Sequence, residues 1–381
     1  MSDQSRQEIT AAASLIVVKV GSRVLTGTDG LLDAGRIESL GRQIAAVSRS
    51  GKQVVLVSSG AVAAGMGRLG LTRRPSELAH LQAVAAVGQS GLIEAWERSL
   101  RGHGGHVAQV LLVAEDLSDR ARYLNIRNTL RTILEYGALP VINENDTVST
   151  EELRTSFGDN DQLAARVASL LGAGLLVLLS DVAGLFDRHP EEPGAAVIPR
   201  VNRIDDATAA LVRDRPNGLS KGGMASKLTA ADIVTEVGGH CVIAAGREPE
   251  VLERICRGEP VGTLFVGRET TVSAWKRWLG WSAEARGSIV VDAGAREAIV
   301  TGGRSLLAAG ITGLEGDFTT GDVVEISGAG GAAFARGLVN YPARELSRIA
   351  GLRTERIAEV LGYCPYEEVI HRDNLAVVSR S

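Results

Sequence analysis

The chain has few cysteines, and none of them are paired in a motif. Cys241, Cys256 and Cys364 are the three cysteines among its 381 residues, and they form no CxxC sequence. Disulfide frameworks and structural zinc sites need recurrent, closely spaced cysteines, which this chain lacks. The sequence therefore predicts free thiols in a reducing compartment.

Long apolar runs and a strong excess of one charge are also absent. No stretch reaches the roughly eighteen consecutive apolar residues of a membrane span, and the first dozen residues are polar, without an apolar signal core. The formal net charge is only −4, with neither a global basic excess that would indicate nucleic acid binding nor an acidic block. These absences predict a soluble, cytoplasmic protein with no membrane partner.

The length allows two domains, and the residue pattern changes character once along the chain. Apolar strands alternate with amphipathic helices over residues 14–267, which predicts an α/β domain with a mainly parallel sheet. Short strands separated by Gly-rich turns follow over residues 285–372. We therefore predict a first domain at 14–267, a linker at 268–284 and a small, mostly β second domain at 285–372. The predicted helices cover 33–50, 60–70, 77–101, 118–136, 160–172 and 223–237, with short ones near 293–301 and 343–350.

Four apolar segments of the first domain end abruptly in small or polar residues. They are residues 15–18 before Lys19, 54–57 before Ser58, 139–142 before Asn143 and 175–179 before Ser180. Continuous apolar runs are typical of strands buried on both faces of a parallel sheet. Ligands of such sheets bind outside the carboxyl ends of the strands. The lysine, hydroxyls and carboxylates found there suit a phosphorylated ligand and a metal.

Two familiar nucleotide-binding motifs can be set aside. Residues 65–70 match GxGxxG, but the preceding strand ends at Ser58 and residues 61–64 already have a helical pattern. A dinucleotide-binding motif must directly follow its strand and open the helix, so these glycines are interpreted as the end of a helix. No GxxxxGK[ST] sequence is present, which excludes a P-loop by pattern.

Glycine turns beside two of the strands indicate an anion site. Ser58-Ser59-Gly60 lies between a strand and a helix, and Gly21-Ser22 follows the first strand. Backbone N–H groups at a helix start bind anions, although a serine there can equally be a simple helix cap. Lys19 lies in an apolar strand, so its ammonium group must reach a phosphate or a carboxylate at the sheet edge. A structural ion pair is the alternative for this lysine.

Two further segments begin helices with charged or glycine-rich sequences. Gly158-Asp159-Asn160-Asp161 has two carboxylates flanking an amide, more than one helix cap needs, and can orient lysines or bind hydrated Mg²⁺. Lys221-Gly222-Gly223 opens a helix that carries Lys227 one turn later. A glycine pair lets backbone approach a phosphate that Lys227 can also reach, whereas the alternative is a solvated lysine after a flexible loop.

These motifs together resemble those of the amino-acid kinase superfamily. The resemblance rests on residues 17–22, 57–65 and 87–89, and residues 140–146, 157–161 and 222–227 narrow it to the glutamate 5-kinase family. The C-terminal domain resembles a PUA module. One departure concerns the nucleotide loop, where the family commonly has Gly-Leu-Gly-Thr and this chain has Gly218-Leu219-Ser220-Lys221.

The resemblance implies a three-layer α/β sandwich that phosphorylates the γ-carboxylate of L-glutamate with ATP and Mg²⁺, the first step of proline synthesis. It implies catalytic roles for Lys19, Asp161 and Lys227, with no residue assigned as a direct metal ligand. It further implies dimers or tetramers and inhibition by proline. The implied glutamate-binding residues are Ser59, Asp146 and Asn160. The implied nucleotide-binding residues are Lys19, Ser180, Asp181, Lys221, Gly222, Gly223, Met224, Ala225, Ser226 and Lys227.

Two other classes of function compete with this interpretation. One is a related kinase that acts on N-acetylglutamate, aspartate, carbamate or UMP, against which the 143–146 segment and the PUA-like domain argue. The other is an RNA-binding or RNA-modifying protein, because PUA modules often bind RNA. The C-terminal domain lacks a dense basic stripe with interleaved aromatics, which disfavours RNA binding. Its modest candidate patch consists of Arg336, Arg344, Arg348, Arg353 and Arg356.

Overall fold

A computed structural model describes residues 4–117, 119–148, 160–213, 223–268 and 285–377. Its internal contacts divide the chain into two compact units, Met1–Leu117 with Arg127–Glu269 and Ser118–Ile126 with Thr270–Ser381. Most of the predicted linker, residues 269–284, lies outside the described residues. The domain boundaries inferred from the sequence therefore stay a prediction.

The first unit alternates strands and helices. Its helices are α1 Gln4–Ala12, α2 Ser22–Leu25, α3 Ala34–Arg49, α4 Ala61–Leu69, α5 Leu78–Arg101, α6 Arg120–Glu135 (which begins in the second unit), α7 Asn160–Leu171, α8 Asp206–Arg213, α9 Met224–Glu236 and α10 Val251–Cys256. Its strands are β1 Leu15–Val20, β2 Gln53–Ser58, β3 Val107–Leu112, β4 Leu139–Glu144, β5 Leu175–Ser180, β6 Arg200–Val201, β7 His240–Ala245 and β8 Thr263–Phe265.

Within the described residues, these strands form one eight-stranded sheet in the order β3-β4-β2-β1-β5-β7-β8-β6. All neighbours run parallel except β7 and β8, which are antiparallel. The register places Lys19 of β1 between Val57 of β2 and Leu178 of β5. The predicted mainly parallel sheet is confirmed, and β1 and β5 lie at its centre.

Side chains of the central strands alternate between two buried faces. Ile16, Val18 and Val20 of β1 belong to a core cluster with residues of α3 and α5. Successive side chains of a strand point to opposite faces, so Lys19 lies on the other face, where α7 packs against β1 and α9 packs against α7. Helices on both faces make the three layers predicted, and they bring Lys19 to the side of the sheet that α7 covers.

The GxGxxG segment is confirmed as the body and end of α4. Gly70 ends this helix in the left-handed conformation, with φ of 65°. Gly65 has a different use, because a Cβ atom there would lie 1.8 Å from the carbonyl oxygen of Val84 in α5. A Cβ atom at Gly88 of α5 would likewise lie 1.8 Å from the carbonyl oxygen of Ala61. These two glycines let α4 and α5 cross with their backbones in contact.

The second unit has its own core. Its helices are α11 Ala293–Val300, α12 Ala343–Ile349 and α13 Ile357–Leu361, and its strands are β9 Gly287–Val291, β10 Leu306–Leu307, β11 Ile311–Gly316, β12 Val323–Gly328, β13 Ala333–Leu338, β14 Glu368–Ile370 and β15 Leu375–Val377. Among the described residues, five strands form a sheet in the order β11-β9-β12-β13-β15, and β10 pairs with β14. Tyr341 and Phe318 are among the largest side chains of its core. The predicted mostly β character is confirmed.

One local difference from the sequence prediction has a physical reason. Helix α1 was not predicted, because its surface is polar and it is held by Arg6, whose guanidinium donates to the carbonyls of Val261 at 2.8 Å and Gly262 at 3.0 Å. Strand β12 begins at Val323, after a turn in which Gly321 has a φ of 88°. In the part of the chain that the structure describes, no helix has the length and apolarity needed to cross a membrane.

Candidate active site

A cavity of about 970 Å³ lies at the carboxyl ends of β1, β2, β4 and β5. This is the edge at which parallel sheets bind their ligands. Lys19 and Asn143 are the residues before the last of β1 and β4. Ser59 follows β2 and Ser180 ends β5, and all four residues line the cavity. The four abrupt strand ends noted in the sequence therefore converge on one site.

Asp161 joins the two lysines beneath the cavity. Its Oδ1 atom lies 2.6 Å from Nζ of Lys19, and its Oδ2 atom accepts a hydrogen bond of 2.9 Å from Nζ of Lys227. Asp161 is fully buried, whereas Lys19 and Lys227 keep 6% and 5% of their surface and reach the cavity wall. Both lysines are thus held by one carboxylate while their ammonium groups face the cavity.

Burial and charge act in opposite directions on the Asp161 carboxyl. Desolvation raises its pKa, but the positive charges and hydrogen bonds of Lys19 and Lys227 outweigh this, so the pKa lies below its ordinary value. Asp161 is therefore ionised at neutral pH. Two ammonium groups share this one carboxylate at the wall of the cavity. Ammonium groups form strong, charge-assisted hydrogen bonds with phosphate oxygens, so this floor is suited to phosphate.

A chain of amide and hydroxyl groups forms another wall of the cavity. The Nδ2 atom of Asn160 donates to Oγ of Ser59 at 2.8 Å and to Oδ1 of Asn143 at 2.9 Å. The same Oδ1 atom accepts from the backbone N–H of Glu144 at 2.9 Å. Asn160 and Asp161 are the first residues of α7, so one helix start supplies both this wall and the carboxylate of the triad.

The turn after β2 lines the cavity with Ser59, Gly60 and Ala61. Gly60, not a serine, is the N-cap of α4, and it adopts a left-handed φ of 112° with no side-chain cap. The serine-cap interpretation is therefore wrong. The N–H of Ser59 donates to the carbonyl of Val20 at 3.1 Å, which ties this turn to β1 beside Gly21.

The opposite end of the cavity combines polar and apolar groups. Oγ of Ser180 donates to Asp181 at 3.0 Å, and Arg23 forms an ion pair with the same carboxylate at 2.7 Å. Desolvation raises the pKa of Asp181, but hydrogen bonds from Arg23 and Ser180 leave it below its ordinary value. Apolar side chains line the space beyond, namely Val182, Leu185, Phe186, Leu211, Val212 and Met224. A charged rim beside an apolar slot suits a nucleotide, with its phosphates toward the triad.

The structure brings most of the predicted site residues together. The cavity is lined by Lys19, Ser59, Asp146, Asn160, Ser180, Asp181, Gly223, Met224 and Lys227, with Asp161 buried beneath it. Ala225 and Ser226 lie in the first turn of α9 but do not line the cavity. Lys221 and Gly222 lie outside the described residues. The functional roles of these residues stay predictions.

Sequence reasoning missed a loop that closes one side of the cavity. Thr26 and Leu32 form an isolated antiparallel bridge, and the turn between them brings Asp29 and Gly30 to the cavity. Arg247 holds the base of this loop, since its guanidinium donates to the carbonyls of Arg23, at 2.8 Å, and Thr26. The only local signal was the turn sequence Gly27-Thr28-Asp29-Gly30, which by itself indicates no function.

Comparisons with known proteins agree with this architecture. The model of the amino acid kinase family matches residues 14–245, and the model of the PUA domain matches residues 287–361. A curated relative named glutamate 5-kinase, from Rhodopirellula baltica, is 48% identical over 372 residues, covering 98% of this chain and 96% of that protein. The chain belongs to the amino acid kinase family.

Further similarities extend over nearly the whole chain or over about two thirds of it. A glutamate 5-kinase from Syntrophus aciditrophicus is 44% identical over 380 residues, covering 100% of this chain and 98% of that protein. Among solved structures, a UMP kinase from Bacillus anthracis is similar with a TM-score of 0.47 and 16% identity, covering 68% of this chain and 97% of that chain.

Several arginines of the basic patch considered from the sequence have partners within the second domain. Arg336 forms an ion pair with Glu325 at 2.7 Å, and Arg356 forms one with Glu359 at 3.3 Å. The guanidinium of Arg348 donates to the carbonyl of Val360. Three of the five candidate arginines are thus engaged within their own domain.

Proposed function

We propose that this protein phosphorylates the γ-carboxylate of L-glutamate with ATP, giving L-glutamyl 5-phosphate, the first step of proline biosynthesis. The observation that carries the proposal is the triad of Lys19, Asp161 and Lys227 beside the Ser59–Asn160 wall, in one cavity. Membership of the amino acid kinase family and the names of the near full-length relatives support the choice of substrate.

The chemistry requires charge neutralisation more than it requires a proton acceptor. A carboxylate is already ionised at neutral pH, so it attacks the γ-phosphorus of ATP without a general base. The barrier arises from bringing two anions together and from charge on the transferring phosphoryl group. Lys19 and Lys227 each bring an ammonium group to the cavity wall, where it can donate to phosphate oxygens as well as to Asp161.

Asp161 has a positioning role in this proposal. Its carboxylate holds both lysine side chains, with Oδ1 2.6 Å from Nζ of Lys19 and Oδ2 2.9 Å from Nζ of Lys227. The two ion pairs fix the positions of both ammonium groups, which limits the reorganisation needed when charge develops. Preorganised positive charge of this kind is usually the largest contribution to phosphoryl transfer.

The acceptor occupies the wall formed by Ser59, Asn143 and Asn160, with Asp146 beside it. The amide nitrogen of Asn160 donates its two N–H groups to Ser59 and Asn143. The carbonyl oxygen of the same amide is then the group that can accept a hydrogen bond from the substrate. Such acceptors suit the α-amino group of an amino acid. The nucleotide lies toward Ser180, Asp181 and the start of α9, where Gly223 is the N-cap and Met224 lines the cavity.

Magnesium fits this donor set as an ion bound chiefly through the nucleotide. Asp161 is engaged by two lysines, and among the described residues no group of three or more His, Cys, Asp or Glu forms a metal cage. Mg²⁺ typically takes one or two carboxylates together with phosphate oxygens and water. The carboxylates that line the cavity, and from which such a ligand would come, are Asp29, Glu144, Asp146 and Asp181. When bound, Mg²⁺ supplies further neutralisation of phosphate charge.

We further propose a homo-oligomer, a dimer or a tetramer, and competitive inhibition by proline. Proline carries the α-carboxylate and the amino nitrogen of glutamate but lacks the γ-carboxylate, so it can occupy the acceptor wall without reacting. Light scattering coupled to gel filtration measures the oligomer. A rise in glutamate KM with proline concentration, at constant kcat, measures the inhibition.

Hydroxamate formation from ATP and L-glutamate tests the central proposal, because hydroxylamine traps an acyl phosphate. N-acetylglutamate, aspartate, carbamate and UMP serve as alternative acceptors, with a chelator arm for magnesium dependence. ADP release is measured beside hydroxamate for every acceptor, because phosphorylation of UMP gives no acyl phosphate. Turnover confined to glutamate, and abolished by the chelator, is expected. Turnover on another acceptor would keep the kinase and reject the substrate. Silence with every acceptor, together with salt-sensitive binding of total RNA, would favour the RNA-binding alternative.

A further inference from the structure

A buried hydrogen-bond chain runs from the core of the first unit to the acceptor wall. The indole Nε1 of Trp96 in α5 donates to Oγ of Ser58 at 2.9 Å, and Oγ of Ser58 donates to the carbonyl of Ser59 at 3.0 Å. Trp96 and Ser58 are both fully buried. Neither residue lines the cavity, yet the chain ends on Ser59, which does.

We propose that Trp96 and Ser58, the buried relay, position Ser59 and the Gly60 turn for binding the acceptor carboxylate. This inference rests on the proposed function, in which Ser59 contacts glutamate. It assigns two positioning residues and no additional catalytic residue.

The direction of the relay follows from its donors. An indole N–H can only donate, so Oγ of Ser58 must accept from Trp96. The single hydroxyl proton of Ser58 is then directed to the carbonyl of Ser59. Because the indole fixes the hydroxyl and the hydroxyl fixes the carbonyl, the chain has one arrangement of donors and acceptors.

The carbonyl of Ser59 sets the orientation of the next peptide group. In a planar trans peptide the C=O and the following N–H point in opposite directions. Holding the Ser59 carbonyl toward buried Ser58 therefore directs the N–H of Gly60 away from the core. Gly60 adopts its left-handed φ of 112° and lines the cavity. The relay thereby orients a backbone donor as well as the Ser59 side chain.

Two further hydrogen bonds hold Ser59. Its Oγ accepts from Nδ2 of Asn160 at 2.8 Å, and its backbone N–H donates to the carbonyl of Val20 at 3.1 Å. Without the relay, the Ser59 carbonyl loses its partner while these two contacts remain, so the turn can rotate about them. In the proposed site the nucleotide lies toward β5 and α9, and the hydrogen bonds of the relay involve neither element. The relay should therefore affect glutamate binding selectively.

Ser58→Ala is the decisive variant, and steady-state kinetics with both substrates is the measurement. We expect glutamate KM to rise about 3- to 10-fold, the effect of one lost hydrogen bond, with ATP KM within about twofold. The fall in kcat should be smaller than the rise in glutamate KM. Ser58→Thr keeps the hydroxyl and should restore the wild-type KM. Trp96→Phe should raise glutamate KM as Ser58→Ala does, and combining the two should add little.

Ser99→Ala is the matched control. Ser99 is a buried serine of α5, the helix that carries Trp96. Its hydroxyl donates to the backbone carbonyl of Trp96 at 2.9 Å and does not line the cavity. Equal rises in glutamate KM for Ser99→Ala and Ser58→Ala would mean that any lost buried hydrogen bond near Trp96 weakens glutamate binding. That result would overturn the proposal. An unchanged KM in Ser58→Ala would overturn it too, even if Trp96→Phe fails to fold.

Ser59→Ala separates this inference from the proposed function. A rise in glutamate KM for Ser59→Ala, with none for Ser58→Ala, rejects the relay alone. If Ser59→Ala has no effect on an active enzyme, the acceptor assignment itself fails and the relay with it. A rise in both variants, rescued by Ser58→Thr, supports both.

Discussion

Lys227 and Asp161 share one buried contact, but the loss of each should be seen in a different measurement. Lys227 reaches the cavity wall, whereas Asp161 is covered by the two lysines and fully buried. In the proposed reaction, Lys227 at the cavity wall contacts the transferring phosphoryl group, whereas Asp161 beneath the wall holds the lysines in place. Kinetics therefore reports on the lysine, and stability reports on the carboxylate.

Lys227→Ala should lower kcat about 100- to 1,000-fold, the range found when one preorganised donor to a transition state is removed. Glutamate KM should stay within about threefold, because Ser59 and Asn160 keep their contacts. Steady-state kinetics with varied glutamate at saturating ATP makes the measurement. Lys52→Ala is the control, since its ammonium group donates to the carbonyls of Thr10 at 2.7 Å and Ala13 at 2.8 Å and lies outside the cavity lining. Near-normal kcat for Lys227→Ala would rule out the role.

Asp161→Asn keeps the side-chain shape but leaves two ammonium groups facing a neutral amide. Breaking a buried ion pair in this way costs about 3–5 kcal/mol of unfolding free energy at neutral pH. The pKa of Asp161 is lowered in the folded protein, so its stabilisation is complete above the ordinary value of 3.8 and is lost as pH falls through the folded value. The wild type should therefore exceed the variant by a constant amount between about pH 5 and 7, and by less below about pH 4. Urea unfolding across this range tests both statements, and a difference that grows in acid would contradict them.

At the scale of elements, the crossing of α4 and α5 determines where the Ser59–Gly60 turn lies. Gly65→Ala places a methyl group 1.8 Å from the Val84 carbonyl, so the helices must separate. We expect a loss of about 1 to 3 kcal/mol or more in unfolding free energy. Gly67→Ala, in the same helix, meets only a side-chain atom of Leu31 at 4.0 Å and should instead stabilise the protein by about 0.4–1 kcal/mol. Urea unfolding of both variants measures this, and equal effects would show that the close crossing is not maintained.

The sequence predicts best those elements in which the pattern of apolar residues matches the pattern of buried positions. β1, β2, β4 and β5 are buried along nearly their whole length, so their continuous apolar runs identify them directly. β3 has intermediate burial at most positions, because it is an edge strand, and it gave no such signal. α1 depends on hydrogen bonds from Arg6 to distant carbonyls, which no local pattern reveals.

The same distinction applies to the site. Lys19 and Asp161 attract attention in the sequence because charged groups beside apolar segments need partners. Their 2.6 Å contact depends on β1 and α7 lying face to face, which the strand order decides. The relay from Trp96 was not predicted, because a tryptophan within an apolar helix face has no local sign of a polar partner.

At the scale of the whole molecule, the second unit is mostly β, as predicted, and has a core of its own, whereas the boundary near residue 268 stays a prediction. One part of that unit had no sequence signal. Ser118–Ile126 belongs to it, and Leu124 is fully buried with Val323, Leu338 and Ala376. The periodicity of α6 is continuous from start to end, so the pattern predicts one helix and gives no sign that its first residues pack with a different unit.

The cavity has room for both substrates at once, and this predicts the order of events in the reaction. Its volume of about 970 Å³ is near the upper end of the roughly 300–1,000 Å³ typical of ligand sites, and the acceptor wall and the nucleotide slot flank a single triad. Both substrates should therefore be bound together, with the phosphoryl group passing directly between them. Initial rates measured at several fixed ATP concentrations should give intersecting double-reciprocal lines, and exchange of label between ADP and ATP should require glutamate. Parallel lines, with exchange in the absence of glutamate, would instead indicate a phosphorylated enzyme intermediate. That result would mean that a side chain of this cavity accepts the phosphoryl group and that the triad serves two successive transfers.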